Sequence, residues 1–347
     1  MKIAIDCRMY NSSGIGTYLQ GILPFLLEYK EYDFLLIGDK EKLDFFLCDG
    51  VEILDCSIPF FSLGELINFP VDKINKCDIF FTPNYNIPFF IKIPIYSYIH
   101  DVVFLDLKKL TSKFGLLIRR FYAQRAIRIS KSIFTVSKFS KSRINAHFNT
   151  QKKIIVNYCA VKQDLISFDN SADTTPNEEY ILFVGNIKKH KGLKTLLKGL
   201  DYAFTKGFNK KLYIIGEKEG FKTKGDDFNF AERDDIVFLG KISDNQLYNY
   251  MQNAFVLVQP SEYEGFGLPP LESLYLGTGC LMSDIPVFKE IYNDFENCFF
   301  FKTGDPESLG EKLLSIKPIK IEQKEKIEKK FSFKISASLI IDEIRKN

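Results

Sequence analysis

The sequence predicts an α/β protein made of two Rossmann-like domains in tandem, with a cleft between them. Three observations predict it. Short, continuously apolar runs alternate with helix-length segments, the pattern of strands buried on both faces of a parallel sheet. The alternation breaks once, at Phe168–Glu179 (FDNSADTTPNEE), a polar stretch containing a proline, and then resumes. A chain of 347 residues, at roughly 150 residues per domain, has length for two cores.

Taken in order, Lys2–Ile5 reads as a strand, followed by a glycine-containing turn and an apolar helix over Ile15–Leu27. Phe34–Ile37, Val51–Leu54, Ile79–Phe81, Ile93–Ile99, Ser132–Val136 and Lys153–Val156 read as further buried strands, with a helix over Ser112–Ile129. Beyond the break, Tyr180–Val184, Leu212–Ile215, Ile236–Leu239, Ala254–Val258, Gly279–Met282 and Cys298–Phe301 read as strands. Helices fit Leu193–Phe204, Asp244–Met251, Leu268–Leu276, Val287–Tyr292 and Pro306–Ile316, and the charged tail Ile321–Ile344 reads as helical.

Composition narrows the function classes. With 46% hydrophobic and 26% charged residues the chain is globular in character, which excludes a disordered protein. No apolar run approaches the ~18 residues of a membrane span, and Asp6 interrupts the N-terminal apolar run too early for a signal peptide. The seven cysteines are scattered without a CxxC pair, so neither a zinc site nor a disulfide framework is expected, and a reducing cytoplasm fits.

The net charge of +3 conceals an asymmetry. Residues 1–106 carry 8 Lys/Arg against 15 Asp/Glu, and residues 164–347 carry 25 against 29. Residues 107–163 carry 14 and no acid at all, which points to an anionic partner surface.

The densest chemical signal is Pro260-Ser-Glu-Tyr-Glu-Gly-Phe-Gly-Leu-Pro-Pro-Leu-Glu272, directly after an apolar strand. Gly265 and Gly267 let backbone approach a ligand, and a helix N-terminus presents amides and positive dipole to a phosphate. Glu264 and Glu272 could accept hydrogen bonds from sugar hydroxyls, although acids at a helix start also serve its dipole. Gly185-Asn186-Ile-Lys188-Lys189-His190-Lys191 places cations after another strand, where a solvated basic loop is the plainer reading. Gly14-Ile15-Gly16 lacks the third glycine of the dinucleotide fingerprint. His100-Asp101 ends a strand, where a histidine is more often structural.

The stretch SEYEGFGLPPLESLYLGTGCLMSDIP resembles the signature of glycosyltransferase family 4, retaining enzymes of the GT-B fold. IDCRMYNSSGIGTYL, TPNYNIP, YIHDVVFL, TVSKFSKSRI, VGNIKKHKGL and FLGKISDNQL resemble the family in the expected order, essentially end to end. The resemblance implies a fold of two facing Rossmann-like domains: 1–167 binding the acceptor, a linker at 168–179, and 180–330 binding the nucleotide sugar. A helix at 331–347 would pack back on the N-terminal domain.

Residue by residue, the resemblance implies that Glu264 aligns the donor sugar and Glu272 binds the ribose. The backbone of Gly265-Phe266-Gly267 and Leu268 would hold the diphosphate, Lys191 would neutralise it, and Gly16 would let the N-terminal loop close on it. Gly185, Asn186 and His190 complete the donor loop. Backbone at Lys241–Ile242 would read the base, and His100 would lie near the reacting carbon. Many relatives place an arginine where this chain has Asn186 or His190, and a histidine is the weaker phosphate clamp; Lys188 or Lys189 is left to compensate.

No DxD motif occurs, only Asp226-Asp227 and Asp234-Asp235, so no metal or other cofactor is expected. A retaining transfer with the acceptor attacking on the leaving-group face requires no separate carboxylate nucleophile. Relatives of this pattern build O-antigen or capsule chains, which favours GDP-mannose as donor with UDP- and dTDP-sugars open. The acceptor would be a glycan, commonly polyprenyl-diphosphate-linked, at the inner face of the cytoplasmic membrane. The basic block, with an amphipathic helix inside it, would meet that surface. The alternatives are a sugar-nucleotide epimerase, an inactive binding subunit that would have lost Glu264, Lys191 or Glu272, and a nucleic-acid binder. The last is disfavoured because the basic block's aromatics look like core positions.

Overall fold

The computed structural model describes residues 1–10, 12–60, 62–169, 175–217 and 233–346. It forms two compact units, one of Met1–Lys162 with Phe331–Asn347, the other of Gln163–Lys330. Part of the expected linker (170–174) and the Asp226-Asp227 pair lie outside the described residues.

The first unit is built on a seven-stranded sheet of order β3-β2-β1-β4-β5-β6-β7. Its strands are β1 (Lys2–Asp6), β2 (Asp33–Gly38), β3 (Val51–Asp55), β4 (Ile79–Thr82), β5 (Ile95–Tyr98), β6 (Ser132–Thr135) and β7 (Ile154–Val156). Every pairing is parallel, and Ile3 stands in register with Phe34 on one side and Ile79 on the other. The strand order reverses beside β1, the position at which open parallel sheets leave a crevice at their carboxyl ends.

The second unit repeats the scheme with six strands in the order β10-β9-β8-β11-β12-β13. These are β8 (Tyr180–Val184), β9 (Lys211–Ile215), β10 (Ile236–Gly240), β11 (Val256–Gln259), β12 (Cys280–Ser283) and β13 (Cys298–Phe301), again all parallel. Here the order reverses between β8 and β11. Ile181, Phe183, Leu212, Ile214, Val256, Val258 and Leu281 are buried on one face, and the alternating Tyr180, Leu182, Leu257, Cys280 and Met282 are buried on the other, which explains the unbroken apolar runs.

Two differences from the sequence expectation have clear causes. The tail is two helices, Lys324–Lys330 and Phe333–Arg345, instead of one. Ser332 is extended between them, and the break buries both Phe331, against Tyr158 at 5.4 Å, and Phe333, against Tyr18 at 6.0 Å. The final helix belongs to the first unit: Glu343 accepts from Ser132 Oγ at 2.6 Å and from Lys153 Nζ at 2.5 Å. The helix Lys138–Phe148 has no apolar stripe to announce it; only Ser140 and Ile144 are buried, and the Ser137 hydroxyl caps it by accepting from Ser140 N at 3.0 Å.

The acid-free block is less isolated in space than in sequence. Arg143 meets Asp106 at 3.0–3.1 Å, Lys153 meets Glu343, and Arg125 donates to the carbonyls of Ile87 (2.6 Å) and Pro88 (3.1 Å).

A buried charge cluster organises the carboxyl end of β1. Arg8 Nε and Nη2 donate to Asp6 at 2.8 and 2.7 Å, Nη2 also reaches Glu65 at 2.7 Å, and Nη1 reaches the Ile58 carbonyl at 3.3 Å. Phe69 packs under the guanidinium at 4.4 Å. The side chains of Arg8, Asp6 and Glu65 are 2, 5 and 1% exposed, so this cation fastens the segment around Ile58–Glu65 to the strand. Replacing Arg8 by Met would leave two buried carboxylates without their cation and should cost about 3–5 kcal/mol in urea denaturation; a loss under about 1 kcal/mol would show that the cluster does not hold this segment.

Candidate functional site

The loops after β8 and β11 lie at the strand-order reversal of the second unit and are joined three times. Glu262 N donates to the His190 carbonyl at 2.8 Å. Gly192 adopts φ +72° against Pro260, and a Cβ there would stand 1.8 Å from the Pro260 carbonyl oxygen, so only glycine permits the approach. Lys191 Nζ then donates to Glu264 Oε1 and Oε2 at 2.7 and 2.8 Å.

Glu264 is held from below as well. Its Oε1 accepts from Ser261 Oγ at 2.7 Å and lies 3.5 Å from Gln259 Nε2, while Oε2 is bonded to Lys191. The pair is largely enclosed, with side chains 21 and 10% exposed. Buried carboxylates persist when hydrogen-bonded to a cation and a hydroxyl, and that is the arrangement here. The sequence reading missed Ser261 and Gln259; their signal is a polar pair at a strand's end, three and five residues before the acid. Gln259 Oε1 is buried with no hydrogen-bond partner.

Gly267 starts the helix Leu268–Tyr275 at φ +90°, and a Cβ would come 2.5 Å from the Phe288 ring. The Tyr292 hydroxyl donates to its carbonyl and fixes the turn. In the first turn Pro269 and Pro270 have no N–H, so Leu268 carries the free-end amide of the helical positions. Phe266 is buried. Glu272 is 7% exposed, and its charge, after burial itself, pushes the Tyr248 phenol up.

Other residues singled out in the sequence fall at the same edge. Gly185 (φ +146°) and Asn186 follow β8; Lys241 and Ile242 follow β10, where Lys241 Nζ meets Glu217 at 3.3 Å. Lys188 and Lys189 do not join the Lys191–Glu264 pair. They line a neighbouring hollow of about 410 Å³ with Gly192, Lys194, Lys198 and Glu262. Of the Asp234-Asp235 pair, Asp235 is bound by Arg233 at 2.6 Å. Among the described residues no three His, Cys, Asp or Glu side chains converge as metal ligands.

Two candidates lie in the first unit. Gly16, which the resemblance gave to a closing loop, lies inside the helix Ser13–Leu26, its N–H donating to Ser12 O at 2.9 Å; that helix starts two residues before the Ile15 the periodicity predicts. His100 follows β5, its ring stacked on Tyr98 at 5.0 Å. The Pro83 carbonyl, 3.0 Å from Nε2, can only accept, so Nε2 carries the proton and Nδ1 keeps a lone pair.

Burial lowers both His100 and His190 to about 4, with the Lys191 charge as a further cause for His190. Both are neutral at pH 7. His190 therefore supplies no cation beside Lys191. The unfolded chain takes up these protons near 6.5 and the folded chain only near 4, so the two imidazoles add stability above pH 6.5 that is lost as pH falls toward 4. The urea midpoint should fall across that window, and a double variant, His100→Gln with His190→Gln, should flatten the fall; an unchanged profile would mean the imidazoles are protonated in the fold.

With this geometry in view, the chain can be set beside known proteins. Residues 166–331 match the family described as Glycosyl transferases group 1. An O-antigen chain mannosyltransferase of Salmonella typhimurium is 31% identical over 176 residues, 50% of this chain and 47% of that one. An uncharacterized glycosyltransferase of Methanocaldococcus jannaschii is 28% identical over 194 residues, 52% of this chain and 49% of that one. The chain spans about half the length of the curated relatives it matches. A sucrose-phosphate synthase from Thermosynechococcus elongatus superposes with a TM-score of 0.75 at 15% identity, over 100% of this chain and 98% of that one. An Anabaena protein, HepE, in complex with UDP-glucose, superposes with a TM-score of 0.75 at 16% identity, over 100% of both. At such identities the likeness is one of fold, and the fold is GT-B.

Proposed function

We propose that this chain, whose residues 166–331 are a glycosyl transferases group 1 domain, is a retaining glycosyltransferase of the family 4 type. It would move a hexosyl group from a nucleotide sugar to a glycan acceptor in cell-surface polysaccharide synthesis. The observation that carries this reading is the Lys191–Glu264 pair, enclosed at the strand-order reversal beside a helix N-terminus. The reaction breaks the bond between the anomeric carbon and the diphosphate, forms one to the acceptor oxygen on the same face, and passes the acceptor proton to the departing diphosphate.

Negative charge grows on that diphosphate in the transition state, where a fixed ammonium in a poorly hydrated site stabilises it most. Lys191 has a third N–H beyond the two contacts to Glu264 and is held in place by them. Glu264 Oε2 keeps a lone pair for a sugar hydroxyl. Glue for the nucleotide comes from Glu272 at the ribose, the amides of Gly265–Leu268 at the diphosphate, and Gly185, Asn186, Lys241 and Ile242 around the base. His100 enters as a neutral imidazole. Because Lys191 supplies the positive charge, the reaction needs no metal.

GDP-mannose is the first donor to test, since the Salmonella relative carries mannosyltransferase in its name; UDP- and dTDP-sugars follow. Assays in excess EDTA against that panel should show transfer. Lys191→Ala should lower kcat about 10²–10³-fold and Glu272→Ala should raise the donor KM. Lys191→Ala retaining more than about half of kcat, or activity restored only by Mg²⁺ or Mn²⁺, would overturn the mechanism.

The acceptor we propose is polyprenyl-diphosphate-linked, met at the cytoplasmic face of the membrane, with the enzyme bound peripherally through residues 107–163. No helix among the described residues is long and apolar enough to cross a membrane. Each cation reaching an anionic surface adds ~1 kcal/mol. Replacing Lys108, Lys109, Lys113, Arg119 and Arg120 together by Gln should therefore reduce activity on a lipid-linked acceptor and spare a soluble analogue. Equal losses on both would assign these cations to the fold or the active site.

A further inference from the structure

The helix Lys113–Ile129 has two apolar faces. Tyr122, Ala123, Ala126 and Ile127 are buried, with Ala123 and Ile127 in one core cluster of the first unit. Phe114, Leu117, Ile118 and Phe121 are 73, 65, 38 and 54% exposed. At about 100° per residue these four positions form a single stripe roughly 100° wide. Scattered exposed apolar residues are ordinary, but four large ones on one stripe make a surface that fits a partner.

Charge says which partner. The helix contains no carboxylate, and Lys113, Arg119, Arg120 and Arg128 are exposed on it. Lys113 and Arg120 fall along one flank of the stripe at helical spacing. Arg125 would fall on the stripe, but its guanidinium turns to the carbonyls of Ile87 and Pro88 and packs on Phe89 at 4.6 Å, which ends the stripe at its C-terminal side. The sequence expectation named the cations of this block as the contacts with a membrane; the exposed apolar stripe beside them was not part of it. A second copy of this chain would set the same cations against each other. An anionic bilayer offers phosphates to the cations and acyl chains to the rings at the depth an interfacial helix reaches.

We propose that Phe114, Leu117, Ile118 and Phe121 insert into the acyl-chain boundary of an anionic bilayer, so that attachment is hydrophobic as well as electrostatic. This deepens the membrane reading above and rests on it. The chain has no tryptophan, so a single introduced one is a clean reporter. Phe114→Trp and Phe121→Trp, in separate proteins, should shift their emission to the blue and be quenched by brominated acyl chains in vesicles of phosphatidylcholine with phosphatidylglycerol. Leu314→Trp, at an exposed position of the second unit, should do neither. A triple Ser variant at Phe114, Leu117 and Phe121 should lose about tenfold or more in vesicle partitioning at high salt, with an unchanged melting temperature.

Sedimentation with vesicles but no emission shift would overturn insertion and leave the electrostatic reading standing. No sedimentation at low salt would overturn both. A blue shift without vesicles that grows with protein concentration would mean that a second copy covers the stripe, and would overturn the proposal.

Discussion

Both sheets are parallel throughout, and that single constraint places the rest of the chemistry. A parallel sheet brings every strand's carboxyl end to one edge, and the reversal of strand order separates two neighbouring loops there. In the second unit those loops follow β8 and β11. The strands are apolar up to their last residues, so the groups that can meet a ligand at that edge come from the strand ends and the loops that follow them. Lys191 arrives from one loop and Glu264 from the other, 73 residues apart in sequence.

What makes the arrangement stable is the way each buried charge is matched. Lys191 and Glu264 are neutral as a pair, and the Ser261 hydroxyl takes up more of the carboxylate's capacity. The first unit solves the same problem differently, with one guanidinium between Asp6 and Glu65 at the end of β1. In both cases the charge sits at the carboxyl end of a strand beside the reversal. The imidazoles of His100 and His190 are matched by losing their charge instead. A site assembled this way is preorganised: its cation is already oriented and already stripped of much of its water, as electrostatic catalysis of a departing anion requires.

The acid-free block shows how far charge in sequence differs from charge in space. Asp106 lies one residue before it and Glu343 nearly two hundred residues after it, yet they bind Arg143 and Lys153. The cations left on the surface gather around the helix Lys113–Ile129, whose outer stripe is apolar. Attraction over a distance and insertion on contact are separate physical terms, and this helix carries groups for both.

By itself the sequence determined the fold class and the places of all thirteen described strands, because apolar runs that recur between helix-length segments mark the strands of a parallel sheet covered by helices. It also singled out Lys191, Glu264, Glu272 and the glycines at 265 and 267; Gly267 starts its helix at φ +90°, where other residues are strained. Tertiary structure alone decided three things. The resemblance implied a final helix from 331, but that the chain turns at Ser332 to bury the phenylalanines on either side, against Tyr158 and Tyr18 far away in the chain, is settled by packing. Ser261 and Gln259 join the site because the loop brings Glu264 back to the end of β11; their polar character and spacing were in the sequence, but the contact itself was not. Which apolar face of Lys113–Ile129 is covered was likewise open, because amphipathic periodicity reports that a face exists and packing alone determines what lies against it.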